Sequence, residues 1–215
     1  MATHPTRGPM PEDPNTDALA SAIDALLAHR EGVLTYGDEH TGVRFVCCNE
    51  SGRIVMAVPV EATEHAQAVL HIPRESDDAL QLLLTLTEAP ESAATDRWRI
   101  FHGAPDRPRW IMGEIESARH GAWVFQGEDL TQPNILIHDE PALVRELNKD
   151  RPRLVALCRA AGSPVEDPMA IGVHQHGVHV RAKYGVIHLP FPHVATDAAH
   201  ARRIIQHMLE KGLRA

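Results

Sequence analysis

The chain is short of several things that would fix its class at once. It holds three cysteines, Cys47, Cys48 and Cys158. An odd number without framework spacing argues against a disulfide scaffold and fits reduced thiols. Aromatic residues make up 4% of the chain, so few rings are available to line a site for a flat ligand. Positive charge is also scarce: 21 Lys and Arg stand against 29 Asp and Glu, a net charge of −8. That balance argues against nucleic acid and against an anionic membrane surface, both of which need a basic footprint. No apolar run approaches the ~20 residues that span a bilayer. The first residues lack the charged-then-apolar layout of a secretory leader, so a cytoplasmic protein is expected. The sequence has no G-x-S-x-G, P-loop, G-x-G-x-x-G or H-E-x-x-H pattern, which leaves hydrolase, kinase and dinucleotide-binding readings without support. Asp24, Glu114 and Glu116 make no acid–base pair by spacing.

What is present is a change of pattern along the chain. Residues 1–14 are proline-rich and poor in apolar side chains, which predicts a disordered lead-in. A helix follows, capped by Asn15 or Thr16, with Leu19, Ile23, Leu26 and Leu27 on one face and Gly32 closing it. Strands are expected at 33–36, 43–48, 53–58, 68–72 and 80–87. Gly52 should supply the positive φ of the hairpin turn at 49–52. Cys47 and Cys48, adjacent on one strand, should face opposite ways. Thr95 should cap a short helix over 96–102, and 109–118 and 122–126 should form a last hairpin about His120 and Gly121. Six or so strands with few helices between them suggest a small closed barrel over 15–130.

Beyond 131 the pattern becomes helix, three strands, helix. Two helices, 141–149 and 151–161, are split because Pro152 cannot sit inside a continuous helix; Asp150 caps the second. The final helix carries Ala201, Ile204, Ile205, Met208 and Leu209 on its apolar face. The stretch from Met169 to Leu209 also holds His174, His176, His179, His188, His193, His200 and His207, seven of the fifteen histidines. If Ile171, Val173, Val178, Val180, Ile187 and Leu189 face the core, alternation puts His174, His176, His179 and His188 on the opposite face. Side chains on strands ~4.8 Å apart can converge on one iron or zinc ion. The plainer reading of the same alternation is the solvated face of a sheet.

This C-terminal segment carries a resemblance. The run Gly172-Val173-His174-Gln175-His176-Gly177-Val178-His179-Val180-Arg181, followed by Leu189-Pro190-Phe191-Pro192-His193-Val194-Ala195-Thr196, resembles the G-[IV]-D-x-x-G-F-D-L-R…LPF pattern of the haem-utilisation (HugZ-type) branch of the pyridoxamine-phosphate-oxidase-like split barrels. Glu146 to Arg151 resembles that branch's helical signature, with Arg151 in place of its histidine, and the barrel half matches more loosely through Gly52 to Met56 and Asp96 to Arg99. The resemblance implies an α+β protein: an FMN-binding-like split β-barrel over 15–130 and a small α+β domain over 131–215. It also implies a homodimer with a cleft for a small planar ligand at the subunit interface. Some members take an iron ligand from beyond the last helix; the sequence stops at Ala215, so that ligand is not carried over.

Haem or a related tetrapyrrole is then the first expected ligand. FMN in an oxidoreductase of the same class is the alternative, and a non-catalytic binding or regulatory module a further one. A propionate or phosphate needs paired donors, which arginine supplies. Arg44, Arg53 and Arg97 are the candidates, with Arg44 and Arg53 expected close together across one hairpin, and Arg74 and Arg109 behind them. Trp98, Phe101, Trp110 and Trp123 could line a flat pocket, and His102, His65 or His71 could ligate iron. Where flavin-binding members show a histidine-threonine-asparagine run, this chain reads Pro59 to Ala66 with Glu61 and Glu64, which oppose a phosphate.

Overall fold

A computed structural model describes residues 14–212; the rest of the proline-rich lead-in lies outside the described residues. Helix α1 (Pro14–Ala28) is followed by six antiparallel strands: β1 (Glu31–Tyr36), β2 (Glu39–Cys47), β3 (Ile54–Val58), β4 (Gln67–Ile72), β5 (Leu80–Glu88) and β6 (Arg109–His120). They pair in the order β3-β2-β1-β4-β5-β6, and β3 pairs with β6 to close the barrel. Strand β7 (Trp123–Gln126) extends β6.

Alternating burial in β1, β4 and β5 turns Leu34, Leu70, Leu82 and Leu84 inward, where they meet Phe45, Ile54, Met56 and Ile111. Ala22 and Leu26 of α1 join this core. In β2 and β3 the alternation fails, because both faces are covered. Val46, Cys48 and Val55 pack outward against Trp98 and Phe101 of helix α2 (Ala93–His102) and against Trp110. Cys47 touches the barrel core and Cys48 the outer cluster, so the two thiols do face opposite ways.

A short helix α3 (Gly127–Leu130) leads to the C-terminal lobe, which comprises α4 (Glu140–Lys149), α5 (Arg151–Ala160), the antiparallel sheet β8 (Met169–His174), β9 (Gly177–Ala182) and β10 (Gly185–Pro190), and α6 (Ala198–Gly212). The three long helices cover one face of the sheet, burying Leu143, Leu154, Leu157, Val173, Val178, Val180, Leu189 and Ile204. The chain is thus an α+β protein, a split barrel followed by a small α+β domain.

Local expectations need four corrections. Gly32 does not end α1; it lies within β1, where a Cβ would stand 2.6 Å from the His71 carbonyl of β4. Ser92, not Thr95, is the N-cap of α2, and Thr95 is its reciprocal partner in a capping box. Ile171 does not face the lobe's core: the register shifts between Ala170 and Gly172, so Ala170 enters that core and Ile171 turns to the barrel. The histidine face is not solvated, because it is the face that docks on the barrel.

Candidate functional site

Three elements meet where the C-terminal sheet docks on the barrel: the connection after α1, helix α2, and strands β8 to β10. Arg30 follows the last turn of α1, and its Nη1 donates to the carbonyls of Leu26 and His29. A cation is favoured at a helix C-terminus. Arg30 is nevertheless buried, and desolvation, with Arg97 nearby, pulls its pKa down to about 10. No carboxylate lies within ion-pair distance of it among the described residues. Its Nη2 donates instead to His179 Nε2, and its own Nε–H has no partner.

Cross-strand register places His188 opposite His179, and His179 opposite Gly172 near the end of β8 that carries His174. The His174 and His188 rings stack at 5.3 Å; His179 lies 4.8 Å from the first and 5.0 Å from the second. His176 belongs to the β8–β9 turn, with its ring 5.9 Å from His174. The structure therefore groups His174, His179 and His188, whose nitrogens approach within 4.8 Å of one another, and leaves His176 at the edge. Burial lowers the pKa of all four, His188 to about 3, so the imidazoles are neutral near pH 7.

Their hydrogen bonds fix two tautomers. The backbone N–H of His176 donates to His174 Nδ1 at 3.1 Å, so the proton of neutral His174 is on Nε2. A guanidinium only donates, so His179 Nε2 accepts from Arg30 and does not donate to the Leu27 carbonyl 3.4 Å away; the proton is on Nδ1. His174 Nε2 and His179 Nδ1 are both buried without partners. Two of the three lone pairs that a metal ion would need are thus already engaged. The third histidine, His188, packs its Nε2 against Gly177, where a Cβ would lie 2.5 Å away.

Beneath the cluster Arg97 pairs with Glu140 at 2.9 Å, both side chains largely buried. The Glu140 carboxylate also accepts from Val173 N–H at 3.0 Å and from the Asn49 amide. One acid on α4 thus ties α2, the β2–β3 turn and β8 together. Asn134, whose amide donates to the Val173 carbonyl, adds a second tie.

Two spaces adjoin these groups. One is a small cavity of about 30 Å³ lined by Arg30, Arg97, Phe101, His174, Gln175 and His179, among others. The other is an open cleft of about 500 Å³, lined by His29, Arg30, Glu31, Arg44, Pro73, Phe101, His102 and residues 184–186. Arg30 and Phe101 line both.

The residues expected to hold a cofactor separate. Arg44 and His102 line the cleft. Arg44 pairs with Glu31 at 3.1 Å, with both side chains exposed. His102 Nε2 donates to the Phe45 carbonyl at 3.0 Å, which leaves a lone pair on Nδ1, and burial lowers its pKa to about 4. Arg53 is not beside Arg44. The β2–β3 register runs from Phe45–Met56 to Cys47–Ile54, so the two arginines flank opposite ends of the paired segment, and Arg53 pairs with Glu114. Arg97 is committed to Glu140 and lies over the Phe101 ring. Trp110 is core, edge-on to Trp98 and beneath Arg99. Arg30, His29 and Glu140 escaped the sequence reading. A lone arginine just past a helix end carries little signal without knowledge of what docks there.

A split barrel with an appended α+β lobe is the class that this topology defines. No family model matches the chain, and none of the curated proteins does. Among solved structures, the chain is similar to Atu2129 from Agrobacterium tumefaciens strain C58, a protein of unknown function. The TM-score is 0.73 at 13% identity, covering 94% of this chain and 100% of that one. It is more distantly similar to a heme binding protein from Mycobacterium smegmatis (TM-score 0.44, 14% identity, 92% of this chain and 98% of that one). A pyridoxamine 5'-phosphate oxidase-like protein from Listeria innocua aligns over 48% of this chain and 95% of its own, with TM-score 0.36 and 18% identity. The first match shows that barrel and lobe occur together elsewhere; it shows the fold alone.

Proposed function

We propose that the protein binds haem or a related tetrapyrrole in the cleft beside α1, as a member of the haem-utilisation branch of the split barrels. The observation that carries this reading is the composition of the cleft. At about 500 Å³ it falls in the range of small-molecule sites, and it offers arginines, neutral imidazoles and aromatic rings together. Arg44 would take a propionate. The Arg44–Glu31 pair is exposed and so worth little, which lets a propionate displace Glu31. Phe101 and Tyr184 would pack against the ring. His102 Nδ1 or the His29 imidazole would meet the iron, and both are neutral near pH 7 because burial lowers their pKa. When bound, the iron would supply the site's redox and ligand-exchange chemistry.

FMN fits less well. Its phosphate would fall to Arg44 or Arg53, and Arg53 is outside the cleft and paired with Glu114. Glu61 and Glu64, in the 3-10 turn Val60–Glu64, add negative charge in the segment where flavin-binding relatives place the His-Thr-Asn run.

The reading includes a homodimer whose second copy closes the cleft, supported by Tyr184, which is 90% exposed at its rim. Titration of the purified protein with haemin and, separately, with FMN tests the proposal. A Soret shift that saturates near one haemin per chain, with no spectral change on adding FMN, is expected. A saturating FMN signal without a haemin one would replace haem by flavin, and silence with both would reject the cleft as a cofactor site.

A further inference from the structure

The junction between barrel and lobe holds a concentration of unanswered N–H donors that the cleft does not use. Arg30 Nε, His174 Nε2 and His179 Nδ1 are buried without partners, and hydrogen bonding of the opposite ring nitrogen makes the two imidazole atoms donors. The residues that bear them are 8%, 7% and 2% exposed, and all three line the small cavity of about 30 Å³. A buried polar atom left unpaired costs about 1–3 kcal/mol, so three in one place call for an occupant.

The charge balance says which kind. Arg30 is cationic with no carboxylate against it, and Arg97 is neutralised by Glu140, whose oxygens are already taken by Arg97, Asn49 and Val173 N–H. A metal cation would face an uncompensated guanidinium and two engaged lone pairs. A water molecule has two lone pairs for three donors and brings two hydrogens of its own. Among the described lining residues, Gln175 Oε1 is the one side-chain acceptor left without a partner. A spherical anion brings no hydrogens and has no fixed lone-pair directions, so it can accept from several donors at once, and its charge balances Arg30. The space, about the volume of one water, admits a halide and not a phosphate or a carboxylate ligand.

We propose that this cavity is a structural site for a single halide ion, chloride under ordinary conditions, held by Arg30, His174 and His179, which fastens the C-terminal sheet to the barrel. The inference is independent of the tetrapyrrole reading, and its test uses no tetrapyrrole.

The experiment exchanges the full-length protein into gluconate and follows thermal unfolding as sodium chloride or bromide replaces gluconate at constant ionic strength. A saturable rise in Tm is expected with both halides. It should disappear in Arg30→Gln provided that the variant retains the circular dichroism of the parent. Crystals of the unaltered protein soaked in bromide should show an anomalous peak within hydrogen-bond distance of the three donors, which keeps the proposal testable if the variant does not fold. A Tm indifferent to the choice of anion, together with no bromide peak in the cavity, would overturn the proposal in favour of water. A chelator-sensitive rise in Tm with micromolar zinc, with zinc located between His174, His179 and His188, would overturn it in favour of a metal.

Discussion

Glu140 shows how much one side chain can carry. It is 7% exposed and receives Arg97, Asn49 and a backbone N–H of β8. Replacing one partner of a buried ion pair strands the other, at about 3–5 kcal/mol. Glu140→Ala is therefore expected to lose about that much stability by urea unfolding. A loss below about 1 kcal/mol would mean that Arg97 finds water or another partner. None of this was readable from the sequence. Glu140 stands before Pro141 as an ordinary first-turn acid, and its partner is 43 positions away. The histidines were readable in part. Alternation placed four of them on one face, of which the structure groups three, but whether that face met water or protein depended on what docks there.

At the scale of elements, periodicity served well wherever one face of a strand is buried. The strands β1, β4 and β5 follow it, and Asp150 caps α5 through Arg153 N–H as its spacing suggested. It failed at β8, where the bulge between Ala170 and Gly172 reverses Ile171, because a one-residue shift moves a side chain to the other face. Short pieces such as α3 also escaped, since a four-residue helix has no period to detect. Its first residue explains its position. A Cβ on Gly127 would stand 1.6 Å from the Ile115 carbonyl of β6. Gly127→Ala should accordingly cost about 3 kcal/mol or more, a value reserved for forced backbone movement. Gly42→Ala is the control: nothing lies within 4 Å of its Cβ and its φ is not positive, so it should change stability by less than about 1 kcal/mol. Equal losses in the two variants would contradict the packing assigned to α3.

For the whole molecule, the buried imidazoles make stability depend on pH. His102, His174, His179 and His188 all have pKa values below the 6.5 of an unfolded histidine, with His102 at about 4 and His188 at about 3. Below pH 6.5 the unfolded chain takes up protons that the folded chain refuses, so stability is full above about pH 7 and falls as pH drops towards 4. The carboxylates with lowered pKa, Glu146 and Asp197, add losses of the same sign only below their ordinary range near pH 4. The interval from 6.5 to 4.5 thus belongs to the histidines. Urea midpoints that stay level from pH 7 to 5 would show that these rings are solvated. The same junction explains why the two halves were legible separately and their contact was not. Each half has its own periodic core, whereas the interface is built from isolated residues of α1, α2, β8, β9 and β10.

The central claim is that the cleft between α1, α2 and the β9–β10 hairpin is the ligand site, and a paired haemin titration tests it most directly. Arg44→Glu, which reverses a cleft charge, should weaken haemin binding at least tenfold, while Arg53→Glu, on the far end of the same hairpin, should leave it unchanged. Equal affinity in both variants, or a loss confined to Arg53→Glu, would place the ligand elsewhere on the barrel.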